Sequence, residues 1–377
     1  MPEIKLFHEI KEIGAEKWNS QRANDYPFSR YEFLYAMEES GSVTADTGWQ
    51  PLHLELRDEN NTLGYMPLYL KNHSYGEYVF DWAWADAYHR HGLEYYPKLV
   101  SAIPYSPVMG QRLLTLQDPA PLLNIIQQML PQLCNQVKAN SWHFLFPEDK
   151  EIASIKHPEL MIRKGCQYQW FNREYNDFAH FLEQFTSRKR KNVRKERQKV
   201  IDHGISHRKI EGQDITDQEL ETFYDFYRIT YLKRGREAYL TKKFFYLLRD
   251  LMPENILLVM AYSGDQAVAG ALSLKDSKTL YGRYWGCLEE FDSLHFETCY
   301  YQGIDYCIEN QLERFDSGAQ GEHKIQRGFE PVPTWSAHWV KEVGFNQALQ
   351  RFIDEESEAM EQQIEHLKTY LPFRSAD

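Results

Sequence analysis

From the end of a short predicted strand, Leu312 to Ser317, the chain reads Asp316-Ser-Gly-Ala-Gln-Gly-Glu-His-Lys-Ile-Gln-Arg327. Glu322, His323, Lys324 and Arg327 therefore fall within six residues of a glycine-punctuated loop. Strand ends that open into such loops are where α/β proteins put function, because a rigid scaffold aims the loop's side chains. These four residue types suit proton transfer beside an anion. Histidine titrates near neutrality and a pocket can raise a glutamate, so Glu322 or His323 can take a proton from an amine. Lys324 and Arg327 can neutralise an anionic substrate or a developing oxyanion. The competing reading is a polar surface loop capped by Phe329 packing inward.

A second segment can hold phosphates. From Arg188 to Lys199, RKRKNVRKERQK contains eight Lys or Arg and one Glu, a local +7 in a chain whose net charge is −12. The rest of the chain carries −19, an acidic average that disfavours indiscriminate nucleic-acid or membrane binding and makes this segment the exception. Wound as a helix from Ser187 to Ile201, it sets Arg190, Arg194 and Arg197 on one side, with Val193 and Val200 as a narrow apolar stripe. Guanidinium groups bind phosphates bidentately, so the row suits coenzyme A or a tRNA backbone. The bland alternative is a solvated helix that balances the acidic remainder.

The usual catalytic signatures are missing: no G-x-S-x-G, G-x-x-x-x-G-K-[ST], H-E-x-x-H or G-x-G-x-x-G occurs. His89-Arg90-His91 is a weak hint of a metal, without cysteines nearby, and no metal is expected. The five cysteines, at 134, 166, 287, 299 and 307, have no paired spacing. That argues against a disulfide framework and for a reducing, cytoplasmic setting. Met1-Pro2-Glu3-Ile4-Lys5 lacks the apolar stretch of a signal peptide, and no apolar run approaches the roughly 20 residues of a membrane-spanning helix.

The elements that must position these residues form two sets. A length of 377 residues suits two domains, and Pro147, Pro158 and Gly165 mark the split that gives 1–160 and 161–377. The first half opens with short helix-like segments. Leu52 to Leu56 and Leu63 to Leu70 alternate around the turn Asp58-Glu59-Asn60-Asn61, which predicts a hairpin. Tyr75 to Trp84 predicts a further strand ending in an acidic, aromatic loop, Pro119 to Lys138 a helix, and Trp142 to Phe146 a buried strand. In the second half, Thr216-Asp217-Gln218-Glu219 fits a capping box before apolar residues at helical spacing. Ile256–Tyr262 and Ala267–Leu274 predict a second hairpin, Leu280–Gly286 an aromatic strand, and Phe296–Asn310 an amphipathic helix. Phe345 to Leu371 predicts one long helix. The order hairpin, aromatic strand, acidic loop, helix thus recurs, pairing Tyr75–Asp81 with Leu280–Gly286. On this reading residues 48–110 and 254–321 superpose.

With that order in hand, the chain resembles a tandem pair of acetyltransferase-like (GNAT) domains, and more closely the Fem-type family in its FemAB-like branch. Phe181-Leu182-x-x-Phe185, then Ser187 to Lys195 and Gly204, is similar to the basic helix that opens the second Fem domain. Phe315-Asp316-Ser317-Gly318 with Lys324-x-x-x-Gly328-Phe329 looks like the closing strand-and-loop motif. Asp81-Trp82, Tyr95-Tyr96-Pro97-Lys98-Leu99 and Pro104-Tyr105-Ser106-Pro107-Val108-x-Gly110 look like a hallmark of the branch. The resemblance implies an α/β fold of two GNAT-like domains, each a mixed, mostly antiparallel sheet flanked by helices, plus the long C-terminal helix.

It also implies an acyltransferase linked to peptidoglycan biosynthesis. Such an enzyme moves an acyl or aminoacyl group from acyl-CoA or aminoacyl-tRNA, a co-substrate rather than a tightly bound cofactor, to a small-molecule or peptide amine. In such folds the reaction centre lies where the aromatic strand and the closing strand splay. There Arg283 or Tyr284 lines the gap, Asp316 is the alternative base to Glu322 and His323, and Asp81, Trp82 and Tyr105 bind substrate. The chain departs from the pattern in lacking the R/Q-x-x-G-x-G/A pyrophosphate loop. The acidic LEEFDSLHF of Leu288–Phe296 stands in its place, which favours a tRNA donor. It also lacks the coiled-coil arm of classical Fem ligases. A monomer or homodimer is expected. The competing hypothesis is a non-catalytic module that binds a peptide, an anionic ligand or tRNA.

Overall fold

The computed structural model describes residues 2–59, 61–319 and 321–374, so Asn60 of the expected turn and Gln320 of the expected loop lie outside the described residues. The chain opens with β1 (Pro2–Phe7), where helix-like segments were expected, followed by α1 (Ala15–Asn19) and α2 (Tyr31–Glu39). β2 (Trp49–Pro51) precedes the predicted hairpin, β3 (His53–Asp58) and β4 (Asn61–Met66), and then β5 (Tyr69–Lys71). The strand expected over 75–84 does not form. Gly76 and Tyr78 take positive φ, +80° and +62°, which breaks the extended chain, and α3 (Trp82–Arg90) begins where the loop was expected. Trp84 and Tyr88, four apart, supply its buried face.

β6 (Lys98–Ser101), α4 (Pro119–Val137), β7 (Ser141–Leu145), α5 (Asp149–Ala153) and β8 (Met161–Phe171) follow. α4 starts as its sequence dictates: Asp118 Oδ1 accepts the Ala120 N–H at 3.1 Å, Pro119 fills the first turn, and Lys138 ends the helix in the left-handed region. Its Leu122, Ile126, Leu130 and Leu133 enter a core with Leu99, Trp142 and Phe144. Each such side chain contributes about 1.5–3 kcal/mol when buried.

The later part contains α6 (Phe178–Glu183), α7 (Ser187–Asp202), β9 (Ile205–Glu211), α8 (Asp217–Leu232) and α9 (Lys242–Leu251). The capping box forms: Thr216 Oγ1 accepts the Glu219 N–H at 3.2 Å while Glu219 Oε2 accepts the Thr216 N–H at 2.9 Å. The hairpin β10 (Ile256–Ser263) and β11 (Gln266–Lys275) leads to β12 (Thr279–Cys287). A short α10 (Leu294–Phe296), a π-helical turn (Glu297–Tyr301) and α11 (Gln302–Glu309) replace the single expected helix. β13 (Arg314–Asp316), β14 (Glu330–Val340) and α12 (Val343–Lys368) complete the chain.

Contacts divide the protein into two units, Met1–Cys166 with Pro333–Gln363, and Gln167–Val332 with Ile364–Asp377. In unit 1, β1, β3 and β4 make a separate antiparallel sheet, and the larger sheet runs β2-β5-β6-β7-β14. Its pairings are antiparallel except for the parallel β6–β7. In unit 2 the order is β9-β10-β11-β12-β13-β8, antiparallel except for the parallel β12–β13. The pairing pattern therefore repeats, with β2, β5, β6 and β7 answering β10, β11, β12 and β13. The counterpart of the aromatic strand is thus β6, and the expected match of Tyr75–Asp81 with Leu280–Gly286 is corrected. The β3–β4 hairpin lies outside the repeated pattern, between β2 and β5. The last strands are exchanged: β14 completes unit 1 against β7, while β8 completes unit 2 against β13.

Candidate active site

In unit 2 the parallel pairing of β12 and β13 covers only Thr279–Arg314, Leu280–Phe315 and Tyr281–Asp316, and β12 continues beyond it to Cys287. At that parting point Asp316, 1% exposed, is a hub. Its Oδ1 accepts from Arg283 Nη1 at 3.2 Å and from the Gly318 N–H at 2.9 Å. Strand alternation turns Arg283 toward Asp316 and sends Tyr284 the other way, into the rings of Tyr227 and Phe245. Of the two residues expected at the gap, Arg283 is the one beside Asp316.

The loop closes over Lys324. Its ammonium, buried, donates to Ser317 O at 2.8 Å and Gly318 O at 3.0 Å, while Ser317 Oγ donates to Tyr168 O at 3.1 Å. Burial pushes Lys324 down to about 8; Asp316 pulls it back up and Arg283 lowers it further. Lys324 can therefore exchange a proton at mildly alkaline pH. His323 is exposed and shares a hydrogen bond with Tyr300 Oη at 3.1 Å. Burial, then Arg327 and Lys324, lower its pKa. Glu322 is exposed and has no hydrogen-bond or ion-pair partner among the described residues. Arg327 is buried and turned away: it donates to His323 O at 2.7 Å and to Glu196 Oε1 at 2.6 Å, its guanidinium 3.4 Å above the Phe296 ring.

The basic helix forms as expected, with Val193 and Val200 buried. Its three arginines do not act alike. Arg197 is committed to Glu297 and Asp305, at 3.0 and 2.7 Å, and Lys199 to Asp292 at 2.5 Å. Arg190 is half-buried and Arg194 exposed, without ion-pair partners among the described residues. The π-helical turn supplies partners the sequence reading missed. Glu297 meets Arg197, Thr298 meets His207, Tyr300 meets His323, and Tyr301 donates to Glu196. Burial raises Glu297 although Arg197 opposes it.

In unit 1, Asp81 is 2% exposed and sealed by Lys98 and by Tyr95 Oη, which donates to its Oδ2 at 2.6 Å. Trp82 is 42% exposed, and Tyr105 is buried with its hydroxyl donating to Ser42 O at 3.0 Å. Of these three expected substrate-binding residues, Trp82 alone presents its side chain to solvent. What the structure assembles instead is a buried polar row across adjacent strands: Lys71 on β5, Lys98 on β6, Ser141 and His143 on β7, Ser336 and His338 on β14. Lys98 Nζ donates to Ser74 Oγ and Glu77 Oε2, both at 2.8 Å, and to Asp81. His143 Nδ1 and His338 Nδ1 are 2.7 Å apart, so one donates to the other, and each ring's Nε2 meets its own serine, Ser141 or Ser336, at 2.8 Å. Burial drives His143 down to about 3, with Lys98 adding to the fall. Burial also works upward on Asp81, but Lys98 and His143 hold its carboxyl well below the usual range. The repeated Ser-x-His of 141–143 and 336–338 was the sequence signal available for this row.

Among the described residues no group of three or more His, Cys, Asp or Glu could hold a metal ion, and no helix is long and apolar enough to cross a membrane. None of the curated proteins matches the chain. Among solved structures, FemX aligns with 93% of this chain and 100% of its own, at a TM-score of 0.53 and 12% identity. The C-terminal domain of a putative lysylphosphatidylglycerol synthetase from Agrobacterium fabrum covers 90% of this chain and 95% of its own, at 0.54 and 9%. L-PGS from Bacillus licheniformis covers 88% and 98%, at 0.51 and 11%. At such identities the likeness shows the mixed α/β fold alone. By family the match is to FemAB-like proteins of peptidoglycan biosynthesis/recognition over residues 9–375, and the chain belongs to that FemAB-like family.

Proposed function

We propose that the chain is an N-acyltransferase that moves an acyl or aminoacyl group from a CoA- or tRNA-activated donor to an amine acceptor, in the modification of a peptidoglycan precursor or a peptide. The observation that carries this reading is the convergence of Asp316, Arg283 and Lys324 where β12 and β13 part, on a FemAB-like chain. An amine is a competent nucleophile once deprotonated, so positioning, one proton acceptor and oxyanion stabilisation suffice. The acceptor nitrogen bonds to the donor carbonyl carbon, whose electron pair moves to oxygen. Collapse of that intermediate breaks the bond to the donor's sulfur or ester oxygen, and the amine proton passes to the base. Glu322 takes that role because it is the loop's exposed carboxylate without a partner among the described residues; Asp316 is the alternative base. His323 orients, and Lys324 supplies positive charge to the oxyanion.

Two features support tRNA over coenzyme A as donor. The segment 288–296 is acidic where a pyrophosphate loop would be needed, and Arg197 and Lys199 already serve carboxylates. Of the three arginines, Arg190 and Arg194 are left to meet phosphates. Residues 1–160 and 161–377 are proposed as the two repeats, acting in the cytoplasm as a monomer or homodimer.

The second reading, a non-catalytic module for a peptide, an anionic ligand or tRNA, is favoured by the internal bonding of Lys324 to Ser317 and Gly318, which uses donors a substrate would need. The test is incubation of the full chain with acyl-CoAs or aminoacyl-tRNAs and candidate amines, read by product mass. Transfer from either donor sustains the enzyme; donor binding without transfer from any sustains the module.

A further inference from the structure

Among the eight cations from Arg188 to Lys199 stands one acid, Glu196. Three residues from Val193 and four from Val200, it shares the face of α7 on which those two valines are buried. Its partners lie far off in sequence. Oε1 accepts from Arg327 Nη2 at 2.6 Å, across 131 residues, and Oε2 accepts from Tyr301 Oη, across 105. Two further pairs, Arg197 with Glu297 and with Asp305, hold the same stretch of α7 against the π-helical turn and α11. Glu196 is therefore fixed on a rigid element, and whatever it grips is fixed to that element.

What it grips is the turn Glu322–Arg327. Gly321 and Gly328 bound that turn with positive φ, +110° and +88°, so its ends supply freedom and not anchorage. Ile325 and Phe329, 2% and 0% exposed, seat it, and Lys324 ties it to Ser317 and Gly318. These contacts hold the inner side. On the outer side, where Glu322 and His323 are exposed, Arg327 Nη1 donates to His323 O at 2.7 Å. The chain Glu196–Arg327–His323 thus runs from the helix to the backbone that carries both exposed groups.

We propose that Glu196 is a positioning residue of the transfer reaction: by holding Arg327 it fixes the His323 carbonyl and so aims Glu322 and His323 at the reacting amine. The inference rests on the acyltransferase reading above. Arg190 and Arg194, the cations proposed there for the donor's phosphates, ride on the same helix, so α7 sets both donor and base. A lost grip on Arg327 then changes the distance from base to amine and leaves the donor's own contacts in place. Misplacement by about 1 Å is enough to cost on the order of 10²-fold in rate.

Kinetics of the full chain, with whichever donor and amine it transfers, test this. Glu196→Gln keeps the shape and removes the charge; kcat per folded molecule should fall about 10–100-fold while the donor KM stays within about threefold. A purely structural role would change the folded fraction and leave both constants alone. Arg327→Lys keeps the charge without the forked donor and should fall as far, and the double variant no further than either single one. A second readout needs no turnover. The Lys324, Gly328 and Phe329 N–H groups are bonded within the turn, to Gly321 O, Ile325 O and Lys324 O, so peptides over 321–329 should exchange deuterium several-fold faster in either variant, with α8 level. Unchanged kcat in a folded variant of an active chain overturns the inference, as does exchange over 321–329 that stays level. No transfer by the unmodified chain refutes the acyltransferase reading instead, and exchange then decides whether Glu196 holds the turn. Should Glu196→Gln fail to fold, Arg327→Lys carries both readouts.

Discussion

Lys98→Met is the perturbation whose size the structure sets most directly. Lys98 is fully buried and donates three hydrogen bonds, two of them to carboxylates. Methionine fills similar volume and leaves Asp81 and Glu77 buried beside one another without their shared cation. Removing one partner of a buried pair costs about 3–5 kcal/mol, against about 0–1 kcal/mol for an exposed pair. For a unit of this size that corresponds to a fall of about 6–20 °C in midpoint. Seven of the nine tryptophans lie in unit 1, so thermal unfolding followed by tryptophan fluorescence reports chiefly on that unit. The dependence on pH has a definite sign. Asp81 is depressed below 3.8, so its share of the stability is present above that value and is lost only as pH falls through the lower folded value. Lys98 is raised above 10.5, so its share is present below that value and is lost as pH rises through the folded one. Burial raises Glu77 to about 7 although Lys98 opposes it, so the deficit of the variant should be level from 3.8 to about 7 and grow above that, where Glu77 ionises without its cation. Adding Asp81→Asn removes one stranded carboxylate and should recover part of the loss. A deficit under about 1 kcal/mol would refute the view that this cluster holds unit 1 together.

Glu322→Gln should lower turnover by about 10²–10⁴-fold with substrate binding largely kept; near-normal turnover, with a loss in Asp316→Asn instead, moves the base to the end of β13. If Lys324 acts in its charged form, the rate should fall as pH rises through about 8, and Lys324→Arg, which stays charged, should carry the activity past that limb. Arg190→Glu with Arg194→Glu should weaken donor binding steeply at low salt and less at high salt, with thermal stability little changed. Donor affinity unaffected by that pair in a binding titration would return the helix to a solvated role.

Much of the fold could be read from local chemistry. Alternation located β10 and β11, Thr216 and Glu219 announced α8, and Pro119 to Lys138 read as α4, because each signal acts within a few residues. The miss over 75–84 has the same root. Aromatics that suggested a strand are exposed at Tyr75, Phe80 and Trp82, and what seats Glu77 and Asp81 inside is a lysine on β6 that no local pattern foretells. The loop of 316–327 was legible as a cluster, but its division of labour was not. Only packing shows that Arg327 serves Glu196 while Glu322 faces solvent. Likewise Arg190, Arg194 and Arg197 share a helix side, yet Glu297 and Asp305, about a hundred residues away in sequence, single out Arg197.

The exchanged last strands bear on how the chain is made. β7 pairs with β14 through His143 and His338, 195 residues apart, so unit 1 cannot close its larger sheet until the chain has been made through β14. Domain-by-domain maturation from the N-terminus, the ordinary course for proteins of this length, is thereby denied to it. The high contact order predicts slow completion, with the edge of β7 and its His143 left open to wrong partners in the interval. The dependence runs one way: a fragment ending near residue 160 carries β7 without the strand that covers it, whereas one starting at 161 keeps β8 beside β13.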